Sequence, residues 1–252
     1  MSGMIPEKAF ERLLGLDECW EVGGAEYETT PVERFLLVIH ETARLWPKLR
    51  CPVSTCAHPE VVCHDHTEVR VWRHLDAFGK RTEILCSPPR GRCGACRHVW
   101  RVPVPWEGEG KHFTRDFEAF ALTLMREMPM KKAGDILGES DTRLWRLLFK
   151  HVAEAHAALD LSGLVHLGVD EMNCRKGHNS LAVFADLVAR TVEPRLPEGL
   201  SSVFNALKRK ARSYRSLDYM IAMLYFVAGK LSLPSLAGHR KQRGTKIHGL
   251  RS

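Results

Sequence analysis

The stretch "RCGACRHVW" (Arg92–Trp100) sets two cysteines across a glycine-bearing turn, as Cys93-x2-Cys96. Zinc in a structural role takes four sulfur or nitrogen ligands in a tetrahedron, and these usually arrive as two chain-local pairs. A second pair, Cys51-x4-Cys56 in "RCPVSTC", lies about 36 residues upstream beside Pro52. That separation suits a ribbon whose two knuckles are divided by a β-hairpin. Six of the eight cysteines fall between Cys51 and Cys96, with only Cys19 and Cys174 apart. No secretory signal is expected, because the N-terminus carries early acidic residues and no apolar core with a small-residue cleavage site. In such a chain clustered cysteine reads as metal ligation rather than disulfide bonding. Cys51, Cys56, Cys93 and Cys96 are the expected Zn2+ ligands, and a single metal ion is expected. Cys63, Cys86, His58, His64 and His66 remain able to replace a ligand or to form a second site, and buried, idle thiols are the plain alternative.

Outward from the cysteines, β-type sequence flanks the N-terminal side. "CWEVGGAEYET" and "VERFLLVIHETA" are rich in Val, Tyr, Phe, Ile and Thr and are separated by a turn at Thr30-Pro31. "VRVWRHLD" and "RTEILC" predict strands inside the cysteine-rich region, and "EGEGK" after Trp106 reads as a linker. Helical periodicity follows. In "FTRDFEAFALTLMREM" Phe117, Phe120, Ala121, Leu124 and Met125 share a face, with Thr114 as the N-cap. A short helix from Lys131 to Leu137 is expected to end near Gly138. Another opens at Ser140 or Asp141 and buries Leu144, Leu147, Leu148 and Val152. Helix, glycine turn, helix is a helix-turn-helix pattern, with Asp141 to about Lys150 as the recognition helix and Arg143 and Arg146 as base or phosphate readers. A bland amphipathic bundle is the competing reading.

From Gly163 the period changes again. "LVHLGVD" and "NSLAVFADLVA" are β-type runs joined by the polar turn "EMNCRKGH". After Pro194 and Pro197 comes a helical stretch bearing Val203, Phe204, Leu207, Tyr214, Leu217, Ile221 and Leu224 near one face. The chain ends in a basic, polar tail expected to be disordered. The net charge of +7 is uneven: residues 201–252 hold 11 Lys/Arg against one acid, a net of +10, and the rest of the chain nets −3. That asymmetry points to a polyanion, with double-stranded DNA the leading candidate and a solvated basic face the alternative. Lys208, Arg209, Lys210, Arg212 and Arg215 are the expected phosphate contacts. With 44% apolar and 27% charged residues the chain reads as globular. Its apolar runs fall short of the roughly 18 residues a membrane span requires, so no membrane partner is expected and the cytoplasm is the default location.

Several segments together carry a family resemblance. "LRCPVSTC", "DHTEVRVWRHLD", "RCGACRHVWRVPVPW" and "FTRDFEAFAL" resemble the zinc-finger and helix-turn-helix half of the ISL-three family of bacterial insertion-sequence transposases. "HLGVDEMNCRKGHNSLAVFADL" resembles the start of that family's catalytic domain, and "EGLSSVFNALKRKARSYRSLDYM" with "YFVAGKLSLPSL" resembles its C-terminal end. "CPVSTC" departs from the family's shorter first knuckle by two residues, which puts Cys56 in more doubt than Cys51. The resemblance implies a ribonuclease-H-like DDE recombinase. Its three carboxylates hold two Mg2+ ions that stabilise the attacking and leaving oxygens of an in-line phosphoryl transfer. By motif position Asp170 corresponds to the first carboxylate and Glu198 to the last. Glu171 would face the other side of the strand.

The middle of that catalytic domain is missing. Asp170 and Glu198 stand 28 positions apart, whereas a single βαβ unit takes roughly 30 residues. Asp186 is the one spare aspartate and belongs, by resemblance, to the second strand. An internal deletion joining the first catalytic hairpin to the last catalytic helix accounts for this, and two strands alone leave open edges. The C-terminal helix is then expected to pack on the helices of residues 113–158.

The fold class expected is α+β and multidomain. It comprises a β-rich N-terminal zinc-ribbon region (1–106), a helix-turn-helix bundle (112–160), a truncated ribonuclease-H-like segment (164–198), and basic C-terminal helices and tail (199–252). The functional expectation is a transposase that binds the terminal inverted repeats of its element as a homo-oligomer and is catalytically defective. The alternative is a remnant or regulator that occupies the ends without cleavage.

Overall fold

The computed structural model describes residues 7–158, 167–173, 180–186, 217–228 and 231–234. These fall into two compact units that divide between Phe120 and Ala121.

In the first unit a short helix, α1 (Glu7–Leu14), precedes strands β1 (Trp20–Glu28) and β2 (Arg34–Glu41), between which the Thr30–Pro31 bond is cis. Trp20 and Val22 alternate inward and Glu21 outward, the period-2 pattern of a half-buried strand. Then come β3 (Val61–His66), β4 (Arg70–Ala77), β5 (Lys80–Cys86), β6 (Pro89–Cys93) and β7 (Val99–Arg101). They form a four-stranded sheet ordered β1-β2-β5-β4 and a three-stranded sheet ordered β3-β6-β7. Only β2 and β5 pair in parallel; the other pairs are antiparallel. Glu83 of β5 ties that parallel pair, accepting from Arg34 of β2 at 3.1 Å and from Arg81 at 2.8 Å. The chain leaves the larger sheet at Cys86 and enters the smaller one at Pro89.

The core of this unit is aromatic. Trp106 meets Trp20 and Trp72 edge-on, with ring centroids 5.1 and 5.8 Å apart, among the buried Ile39, Ile84, Val102 and Val104. Such tryptophan geometry adds about 1 kcal/mol per pair to the burial itself. The "EGEGK" stretch is a folded loop, not a linker. The Glu107 carboxylate accepts from Arg101 at 2.6 Å and from the Trp72 indole at 3.3 Å, and pairs with Arg70 at 3.0 Å. The amides of Glu109 and Gly110 donate to the buried Glu118 carboxylate at 3.0 and 2.6 Å. Residues 112–114 then add a parallel bridge to the free edge of β4 through Arg73.

Helix α2 (Arg115–Glu127) starts in this unit, capped as expected by the Thr114 hydroxyl, which accepts from the Phe117 amide at 3.3 Å. The second unit continues with α3 (Met130–Leu137) and α4 (Asp141–Ala157), a two-stranded antiparallel pair β8 (Leu167–Asn173) and β9 (Ser180–Asp186), and α5 (Leu217–Ala228). Leu144, Leu147, Leu148 and Val152 of α4 are buried, the face expected from their spacing. Helix α5 packs on α4, as expected of the C-terminal helix: Tyr219 meets Trp145 and Phe149 edge-on at 4.5 and 5.2 Å, and Tyr225 meets His156 at 4.7 Å. Arg126 of α2 lies over Phe226 at 5.2 Å.

Candidate metal centre and nucleic-acid interface

The two knuckles bring four sulfurs together. The Sγ atoms of Cys51, Cys56, Cys93 and Cys96 all lie within 4.8 Å of one another, with Cys51–Cys96 at 3.5 Å and Cys56–Cys93 at 3.7 Å. Four thiolates around one zinc at about 2.3 Å sit about 3.8 Å apart, so the cage has the dimensions of a zinc tetrathiolate. All four are free thiols. The extra length of the first knuckle is taken up locally: the Cys56 and Ala57 amides both donate to the Val53 carbonyl at 2.9 Å, and Ala57 adopts φ 43°. That turn carries Cys56 into the cage despite its longer spacing. In the second knuckle the Cys93 amide donates to the His98 carbonyl at 3.0 Å and Arg97 turns at φ 59°. Backbone amides of Cys96 and Ala95 aim at the Cys93 sulfur and hold that thiol down to about 6, the state a metal requires. Burial pushes Cys51 up to about 12.

The surplus ligand-type residues divide. His58 accepts from the Glu60 amide through Nδ1 at 3.2 Å and is not among the donors gathered at the cage. Cys86 is buried, and burial followed by the charge of Glu41 pushes its thiol up to about 12. Cys63 and His66 instead gather with Glu41, their donor atoms within 4.8 Å of one another. Cys63 and His66 were open to a second site from the sequence, whereas Glu41 was not legible there, because it comes from a different sheet.

The helix-turn-helix is built on three residues. Gly138 ends α3 at φ 64°, the left-handed conformation glycine adopts freely. The Glu139 amide donates to the Gly134 carbonyl at 3.0 Å, and Ser140 caps α4 by accepting from the Arg143 amide at 3.3 Å. Arg143 reaches back one turn to the buried Glu139 carboxylate, an i,i+4 pair that stiffens the start of α4. Arg146 is exposed on α4, and Lys131 and Lys132 are exposed on α3. The structure therefore separates the two arginines expected as readers: Arg143 is engaged within the turn, while Arg146 faces solvent.

The catalytic expectation is reached only by backbone. Asp170 sits in β8 opposite Val183 of β9. Its side chain, Glu198, and the basic cluster Lys208, Arg209, Lys210, Arg212 and Arg215 lie outside the described residues. Among the described residues no helix is long and apolar enough to cross a membrane.

No curated protein and no solved structure matches the chain. Residues 102–153, from the buried Val102 through α2 and α3 into the body of α4, match the family model of the helix-turn-helix domain of transposase family ISL3.

Proposed function

We propose that the chain is a DNA-binding protein of the ISL3 transposase type, seated by its helix-turn-helix on the terminal inverted repeats of a bacterial insertion sequence. The observation that carries this is the three-residue turn at Gly138–Ser140 between α3 and α4, inside the matched residues 102–153. In this reading α4 enters the major groove and Arg146 reads or anchors there, while Lys131 and Lys132 of α3 meet phosphates. The basic cluster from Lys208 to Arg215 adds counterion-releasing contacts. The four-cysteine cage holds a structural Zn2+ that fixes the ribbon. A homo-oligomer on paired element ends and a cytoplasmic location go with this function.

In intact relatives of this type the chemistry would be metal-dependent phosphoryl transfer, with Mg2+ held by three carboxylates. Here Asp170 and Glu198 are the two that motif position supplies, and the 28 positions between them leave no room for a third on its own strand. The reading is therefore binding without cleavage, and occupation of the ends would interfere with an intact enzyme. Purified protein should retard a DNA fragment carrying an element end, with affinity that falls steeply between low and moderate salt, and should release no nicked product with Mg2+. Mg2+-dependent strand cleavage that disappears in Asp170→Ala would establish an active transposase instead.

A further inference from the structure

We propose that Glu41, Cys63 and His66 form a second divalent-metal site, of the zinc class, that clamps the three-stranded ribbon sheet to the four-stranded sheet. Their donor atoms lie within 4.8 Å of one another, and none of them belongs to the four-cysteine cage. Glu41 is the last residue of β2, whereas Cys63 and His66 lie on β3, so the three donors span both sheets of the first unit.

Strand geometry alone would not bring Cys63 and His66 together, because residues three apart on a regular strand face opposite sides. The register of β3 on β6 is broken between them. Cys63 opposes Gly91 and Asp65 opposes Arg90, so two steps along β3 answer one along β6. His64 is the extra residue of a β-bulge, and a bulge re-aims the side chains beyond it. It returns His66 to the side of Cys63, where both meet Glu41.

The donor set suits the ion. A thiol, an imidazole and a carboxylate are borderline ligands that select zinc over calcium or magnesium, and three of them leave a fourth position for water. The His66 Nε2 lies 2.6 Å from Glu41 Oε1, within hydrogen-bonding distance. Two such donors on a tetrahedral zinc stand about 3.3 Å apart, a shift that these partly exposed side chains can make. Asp65 is held by Arg90 and stays outside the donor set.

The test is metal content of the full-length protein after saturation with Zn2+ and removal of free ion, paired with Co2+ substitution. Wild type should hold two equivalents. Cys63→Ser and His66→Ala should each hold one, with far-ultraviolet circular dichroism unchanged and the tetrathiolate cobalt spectrum retained. Glu41→Gln should weaken the second equivalent by about tenfold or more. A wild type that saturates at one equivalent would overturn the proposal. So would a Cys63→Ser protein that binds as much metal as wild type.

Discussion

Glu107 shows how much a single carboxylate can hold. It sits mostly buried between Arg101, Arg70 and the Trp72 indole at the mouth of the tryptophan core. Burial pushes its pKa up, but the Arg101 hydrogen bond and the charges of Arg101 and Arg70 outweigh that and hold it below the ordinary glutamate value. A depressed folded value means that its stabilisation is complete above the unfolded pKa, and is lost as pH falls through the lower folded value. Glu107→Gln should therefore lower the stability of the first unit by about 2 kcal/mol in urea at neutral pH, with the deficit shrinking below about pH 4. Cys93→Ser removes the sulfur that two amides already stabilise, and should cost one zinc equivalent by elemental analysis together with the order of the ribbon. The cysteine positions were legible because ligand spacing is a local property of the chain. Glu107 was not, because its value depends on Arg70 and Trp72, more than thirty positions away.

At the scale of elements the two glycines of the α3–α4 junction act by different physics. A Cβ at Gly134 would stand 2.7 Å from the Glu139 carbonyl oxygen, a backbone atom of the turn, whereas a Cβ at Gly138 meets nothing within 4 Å but must hold φ 64°. Gly134→Ala should destabilise the second unit by about 2 kcal/mol through that clash, despite alanine's better helix propensity. Gly138→Ala should cost about 1 kcal/mol through backbone strain alone. Thermal melts of the two variants, each with DNA-binding affinity, separate the effects. The junction was readable from Gly138 and Ser140 because caps are written in one or two residues. Strands β3 and β6 were harder: "VVCHDH" and "PRGRC" show no clean alternation, and their pairing, bulge included, is a relation between two distant segments. The folded "EGEGK" loop was missed for the same reason, since its amides are satisfied by Glu118, eight and nine positions ahead.

Over the whole molecule the matched residues 102–153 do not coincide with one compact unit. They begin at Val102, Val104 and Trp106 in the aromatic core of the first and end on α4 in the second. The DNA-binding element is thus continuous in sequence with the core that the ribbon decorates, which the apparent linker after Trp106 concealed. Arg146→Ala should weaken binding to an element end by about tenfold and lower the salt dependence by about one counterion if the contact is to phosphate. Tyr219→Ala removes the ring wedged against Trp145 and Phe149, and should lower the melting of the second unit by about 3 kcal/mol equivalent while leaving metal content unchanged. The catalytic reading of Asp170 rests on sequence pattern, because a carboxylate cluster is a three-dimensional fact that neighbouring residues along the chain do not encode.

The parallel pairing of β2 with β5 also sets an order of synthesis. Arg34 pairs with Arg81 and Val38 with Leu85, so each residue of β2 waits 47 positions for its partner to leave the ribosome. Through that interval β1 covers one edge of β2, and the other, along Arg34–Val38, stands open as a template for unrelated strands. The four-cysteine cage cannot shorten the wait, since Cys93 and Cys96 emerge only after β5 is complete. The cage is then complete only after the four-stranded sheet can close, and a nascent chain stalled near residue 80 should be the most prone to aggregate.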